Sequence, residues 1–204
     1  MNVPEIQGNP KDQGEIAYLG WQNEEESLYG IRDGYKDAAD DLVDIALQKG
    51  NGGNNLKVLD TYIYPICFLY RHSIEISLKL IYWRCYHKLP DNVHDLMTLF
   101  ESVKNKVIRL LKDDDFINQI KSYKKDFHKY DIDSIQIEDL SKSIESINKD
   151  DPKSDRYRYL MNTKNILYNT QSSFIDYSKL KDFYTDIYEK LDFVYFVTDE
   201  YLSS

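Results

Sequence analysis

Cysteine, glycine and proline are scarce in this chain of 204 residues, which holds 2 Cys, 8 Gly and 5 Pro. So few turn-formers exclude a many-turned all-β fold, and two cysteines exclude a disulfide scaffold. Cys67 and Cys85 fall in one apolar stretch that reads as a single helix. Their separation along it is roughly 27 Å, too far to bridge, so buried thiols in a cytoplasmic protein are expected. Long apolar runs are missing as well. The first twenty residues carry Pro4, Glu5, Pro10, Lys11 and Asp12, so no signal peptide is expected. In the most apolar segment, Leu59 to Lys88, the longest stretch without a titratable charge is near ten residues. That is about half of what a bilayer needs, and no membrane partner is expected. Positive charge is short too: 26 Lys+Arg stand against 35 Asp+Glu, a formal charge of −9. This weighs against a whole-surface nucleic-acid binder. GxGxxG, P-loop, HExxH and GxSxG motifs are absent.

What is present is helical periodicity. Residues 1–24 read as a polar arm whose Tyr18, Leu19 and Trp21 can dock on the core, and residues 25–204 as one helical bundle. A first helix is expected over Ser27–Lys49, stopped by the glycine–asparagine run at 50–55. Pro65 sets the expected start of a central helix reaching Lys88. Further helices are expected over His94–Lys112, Phe116–Tyr130, Glu138–Asn148 and Tyr177–Leu202, with Asp113–Asp115 capping the second of these. On the last helix Leu180, Phe183, Tyr184, Ile187, Leu191, Val194, Tyr195 and Tyr201 are expected to face inward. Residues 150–175 lose periodicity and read as an irregular insertion with two short strands, around Arg156–Met161 and Ile166–Tyr168. The fold class is all-α, in a single domain.

One segment concentrates the chemistry. Arg71, His72, Glu75 and Lys79 share a helix face at three- and four-residue spacing. Charges in so apolar a helix must be paired or must face a cleft. Arg71, His72 and Glu75 are therefore candidate catalytic residues, weighed against a structural Arg71–Glu75 pair that fixes helix docking. Lys79, His94, Arg156 and Arg158 are candidate ligand-binding residues, the two arginines alternating with Tyr157 and Tyr159 in a way that suits phosphate or base contact. A tight turn after the central helix would leave His94 and His87 near the closed end of the hairpin, away from His72. No metal site and no cofactor are expected, since neither cysteines nor histidines have ligand spacing. From Lys104 to Lys129 eight bases face four acids, whereas Trp21–Asp60 holds nine acids and four bases. Tyr123, Phe127, His128 and Tyr130 lie among those bases as stacking surfaces. The 18 tyrosines suggest a subunit interface.

The run FLYRHSIEISLK, then HDLMTLFESV, then DRYRYL resembles bacterial HEPN-type helical domains over residues 28–202. The resemblance implies a helical bundle, a homodimer or hetero-complex, and a place in toxin–antitoxin or antiviral defence systems. Many HEPN proteins are metal-independent ribonucleases with an Arg-x4–6-His motif. Here the nearest Arg–His pairs leave none, two, nine and eighteen residues between them, so the motif is absent. The expected function is thus a binding or regulatory component whose ligand is RNA, a nucleotide or a protein partner. The alternatives are a divergent endoribonuclease using Arg71, His72 and Glu75, and a purely structural oligomeric subunit in which Leu191→Ala breaks assembly.

Overall fold

The computed structural model describes residue 17 and residues 23–52, 55–91, 93–123, 136–170 and 172–203, without the side chains of residues 51–52 and 119–123. Helix α1 spans Glu24–Leu47. Asn23 caps it by accepting the Glu26 N–H, and Glu24, Glu25 and Glu26 sit where the helix dipole favours acids. Its buried stripe is Arg32, Lys36, Ala39, Val43 and Ala46, at three- and four-residue steps. A π-helical turn at Gln48–Gly52 ends it. Gly50 lets the chain pass close to Leu59 there, because a Cβ would sit 2.5 Å from that side chain and force it to shift.

Helix α2, Leu56–Tyr86, is the axis of the bundle. It begins nine residues before Pro65, contrary to the expected start. Pro65 and Thr61, whose carbonyl loses its N–H partner, both lie on the exposed side, which lets the helix run through. From Ile66 onward α2 is buried on nearly every side, by α1, α6 and α3. Both cysteines lie on it, buried and unbridged. His87 ends the helix in the left-handed conformation, with φ 50°.

Helix α3, Leu96–Leu111, presents Leu96, Leu99, Phe100, Val103, Val107 and Leu110 inward. Its N-cap Asp95 accepts the Thr98 N–H at 2.7 Å. Asp113 caps α4, Asp114–Tyr123, by accepting the Phe116 N–H. The expected continuation of α4 to Tyr130, with Phe127 and His128, lies outside the described residues, as do Tyr18, Leu19 and Trp21. Helix α5, Ile137–Asp150, packs on α3 through Ile137, Leu140, Ile144 and Ile147. Helix α6, Tyr177–Ser203, returns along α2.

Two expectations need correction. No strand forms among the described residues of the insertion, where a single antiparallel bridge joins Met161 and Leu167. Two short segments with no third partner cannot bury a sheet face. On α6, Tyr184, Ile187, Leu191 and Val194 are buried as expected, but Phe183 and Tyr201 are exposed at 39% and 37%. They lie at the edge of the apolar stripe, and Tyr201 near the helix end.

Three of the tyrosines join helices within the chain. Tyr70 of α2 donates to Asp40 of α1 at 2.6 Å, Tyr195 of α6 donates to Glu25 at 2.9 Å, and Tyr188 of α6 donates to Asp33. Burial, then the neighbouring carboxylate, pushes each of these hydroxyls above the ordinary phenol range. Three acids of α1, Glu25, Asp33 and Asp40, thereby take part in helix docking. Arg32 adds to it, buried to 1%, ion-paired with Asp33 and Asp192 and lying 4.1 Å from the Tyr29 ring centroid. Among the described residues no helix is long and apolar enough to cross a membrane.

Candidate functional site

Three chain segments converge on the Arg71–Glu75 pair: the middle of α2, the residues just before α3, and the turn after α5. Arg71 and Glu75 are one helical turn apart and both are 0% exposed. Arg71 Nη1 donates to Glu75 Oε2 at 3.0 Å, Nη2 to the His94 carbonyl at 2.7 Å, and Nε to the Asp151 carbonyl at 2.8 Å. One guanidinium therefore ties α2 to the start of α3 and the end of α5, its planar fork matched by acceptors on three elements. Asn148 doubles the tie, donating to Asp95 Oδ2 and accepting the Leu96 N–H, both at 2.9 Å.

The other Glu75 oxygen faces outward. Oε1 accepts from Lys79 Nζ at 2.7 Å and lies 3.0 Å from His94 Nδ1. His72 Nδ1 is 4.0 Å from Oε2. The side chains of Lys79, His72 and His94 are 17%, 23% and 58% exposed, so they form the rim above a sealed floor. Burial opposes the Glu75 charge, but the Lys79 and His94 hydrogen bonds outweigh it and hold the carboxyl below its ordinary range. The His72 ring is wedged between Tyr35, edge-on at 4.5 Å, and Phe68, stacked at 5.5 Å. Burial there pulls its pKa down, against the opposing pull of Glu75.

His94 joins the group that includes His72, which overturns the expected separation. The connection after α2 is not a tight turn: it brings His94 back beside the middle of the helix, where its carbonyl accepts from Arg71. A connection of eight residues can reach at most about 26 Å at ~3.3 Å each, enough to retrace the three turns from Tyr86 to Glu75. His87 stays at the far end as the C-cap.

Arg156 and Arg158 do not reach Glu75. Arg156 pairs with Asp150 and donates to Asn169 at 2.9 Å. Arg158 pairs with Asp155 at 3.1 Å and lies 5.4 Å from the Phe68 ring centroid, next to the His72 stack. Asp151 was not among the candidates. Its Oδ1 accepts the N–H groups of Asp155 and Arg156, and its carbonyl accepts Arg71. The Asp151–Pro152 step was the signal, since aspartate before a turn bonds to the backbone that follows it. Among the described residues, no cluster of His, Cys, Asp and Glu is arranged to hold a metal ion.

Comparison with protein families, with curated proteins and with solved structures finds no match.

The two shifts fix a pH response of the same sign. His72 is harder to protonate folded than unfolded, so stability is expected to fall as pH drops below about 6.5, until the folded His72 also takes up its proton. Glu75 contributes stability above its unfolded value near 4.5, which is lost as pH falls through the lower folded value. Urea midpoints between pH 8 and about pH 3 should show both declines, and His72→Gln should erase only the upper one. A stability that rises from pH 7 to pH 6 would contradict the His72 assignment.

Proposed function

We propose that the chain is a HEPN-like binding or regulatory component of a bacterial defence or toxin–antitoxin-type system, and that its ligand meets the rim of His72, Lys79 and His94. RNA or a nucleotide suits this rim, where Lys79 gives one ammonium donor to Glu75 and keeps its other donors for a phosphate at the edge. One observation carries the preference for binding over catalysis: the Arg71 guanidinium is fully buried and bonded to the protein through all three of its nitrogens. A group so engaged holds helices together, and its complete burial keeps its remaining N–H groups away from a phosphate in a transition state. Arg156 is ion-paired with Asp150 at the end of α5, and Arg158 with Asp155.

A second reading has its own support. His94 Nδ1 lies 3.0 Å from the buried Glu75 carboxylate on a ring that is largely exposed. A carboxylate on Nδ1 orients the imidazole and frees Nε2 to move a proton. In a divergent metal-independent ribonuclease His94 would be the base, with Lys79 beside the phosphate.

Incubating purified protein with labelled single-stranded RNA in EDTA separates the two. Binding without cleavage is expected by fluorescence anisotropy, weakened about tenfold by Lys79→Ala as one charge-assisted contact is lost. Cleavage that survives EDTA and disappears in His94→Ala would replace the binding reading with the catalytic one.

A further inference from the structure

A cleft separate from the Glu75 cluster opens beside the first half of α2. It encloses about 600 Å³ between α2, the turn at 156–157 and the segment leading into α6. That volume lies within the ~300–1,000 Å³ of small-ligand sites. Four aromatic residues line it: Tyr64, Tyr157, Phe174 and Tyr177. Phe174 is 101% exposed and Tyr64 43%, so this wall holds apolar surface that the fold itself leaves in water.

The charges of the cleft are unequal. Two charged residues line it, Arg156 and Asp60. Arg156 is committed, through Nη1 to the Asp150 carboxylate and through Nε to Asn169. Asp60, exposed on α2, has no ion-pair or hydrogen-bond partner for its carboxylate among the described residues. The uncompensated charge at this aromatic wall is therefore negative.

We propose that the cleft binds an organic cation, an ammonium or guanidinium group carried on an apolar or aromatic body. Asp60 supplies the counter-charge, and the tyrosine and phenylalanine rings supply π faces, which attract cations and cover apolar carbon. An anionic ligand would meet Asp60 unscreened and find Arg156 already neutralised by Asp150. The site is built on the main tie of the fold: Arg71 holds the Asp151 carbonyl, and Asp151 Oδ1 holds the N–H groups of Asp155 and Arg156. The wall that carries Arg156 and Tyr157 is thus fixed from the core.

Isothermal titration with phenethylammonium, phenethyl alcohol and phenylacetate tests the proposal, because the three share a ring and differ in charge. Phenethylammonium is expected to bind at least about tenfold more tightly than the alcohol, with phenylacetate weakest. Asp60→Asn should remove that advantage. Tyr64→Leu should weaken the cation several-fold while leaving the melting temperature in place, since both residues are exposed. N-acetyl-lysine methylamide separates the sources: tighter binding than the free amine points to a basic side chain of a protein, weaker binding to a free amine. Equal affinity for all three charge forms, a preference for phenylacetate, no binding of either cation at millimolar concentration, or an Asp60→Asn variant with unchanged affinity would overturn the proposal.

Discussion

Arg71→Met is expected to lower the free energy of unfolding by about 3–5 kcal/mol, the cost of leaving one partner of a buried ion pair behind. In a chain of this length the melting temperature should fall by roughly 6–20 °C. Methionine keeps the stem and its packing but deletes all three hydrogen bonds that Arg71 makes to Glu75, His94 and Asp151. Glu75, at 0% exposure, then relies on Lys79 and His94 alone. The loss should be highly non-additive with Glu75. In Arg71→Met combined with Glu75→Leu the buried Glu75 charge is gone. Only the Asp151 carboxylate, 3.7 Å from Arg71 Nε in the wild type, then keeps a buried charge in the cluster without its cation. Lys79 and His94 can turn to water, so part of the stability should return. Urea unfolding of the wild type, the two single variants and the double variant measures the coupling. A cost below about 1 kcal/mol for Arg71→Met, or a double variant as unstable as the sum of the singles, would mean that the cluster does not hold the three segments together. The same variant connects the two sites: losing the tie at Asp151 should also weaken cation binding in the Arg156–Tyr157 cleft.

The helices were legible because their stripes are long and regular. In α3 the apolar residues fall at three- and four-residue steps over four turns, and α5 and α6 follow the same rule, so periodicity alone located them to within a few residues. Helix starts were less legible. Pro65 looked like a beginning because proline ordinarily breaks a helix, yet it sits on an exposed turn where a missing N–H costs little. At the site, the spacing of Arg71, Glu75 and Lys79 correctly put them on one face, since helix geometry is local. His94 and Asp151 reach the same carboxylate or guanidinium across 19 and 80 positions of sequence. Their arrival depends on a connection that retraces α2 and on the angle at which α5 ends, neither of which leaves a periodic trace. The aromatic cleft was hidden for a similar reason. Tyr64, Tyr157 and Phe174 come from three separate segments, and an exposed aromatic in isolation carries no signal.

Leu191→Ala separates a packing role from an assembly role and should cost about 2–5 kcal/mol. Leu191 is 1% exposed on α6, on the stripe with Ile187 and Val194, inside the core that α2 and α6 share. Truncation removes three buried carbons and leaves a cavity lined by neighbours that helices on several sides hold in place, so collapse around it is limited. The expected reading is a melting temperature lowered by roughly 4–20 °C, with any change in association following from unfolding. Leu202→Ala serves as the control, because Leu202 is 45% exposed near the end of the same helix and should shift stability by no more than about 0.5 kcal/mol. Analytical ultracentrifugation run beside the melts distinguishes the roles. A Leu191→Ala protein that melts like the wild type but sediments as a smaller species would place Leu191 in a subunit contact, and the purely structural oligomer would gain the support that the buried position of this side chain now withholds.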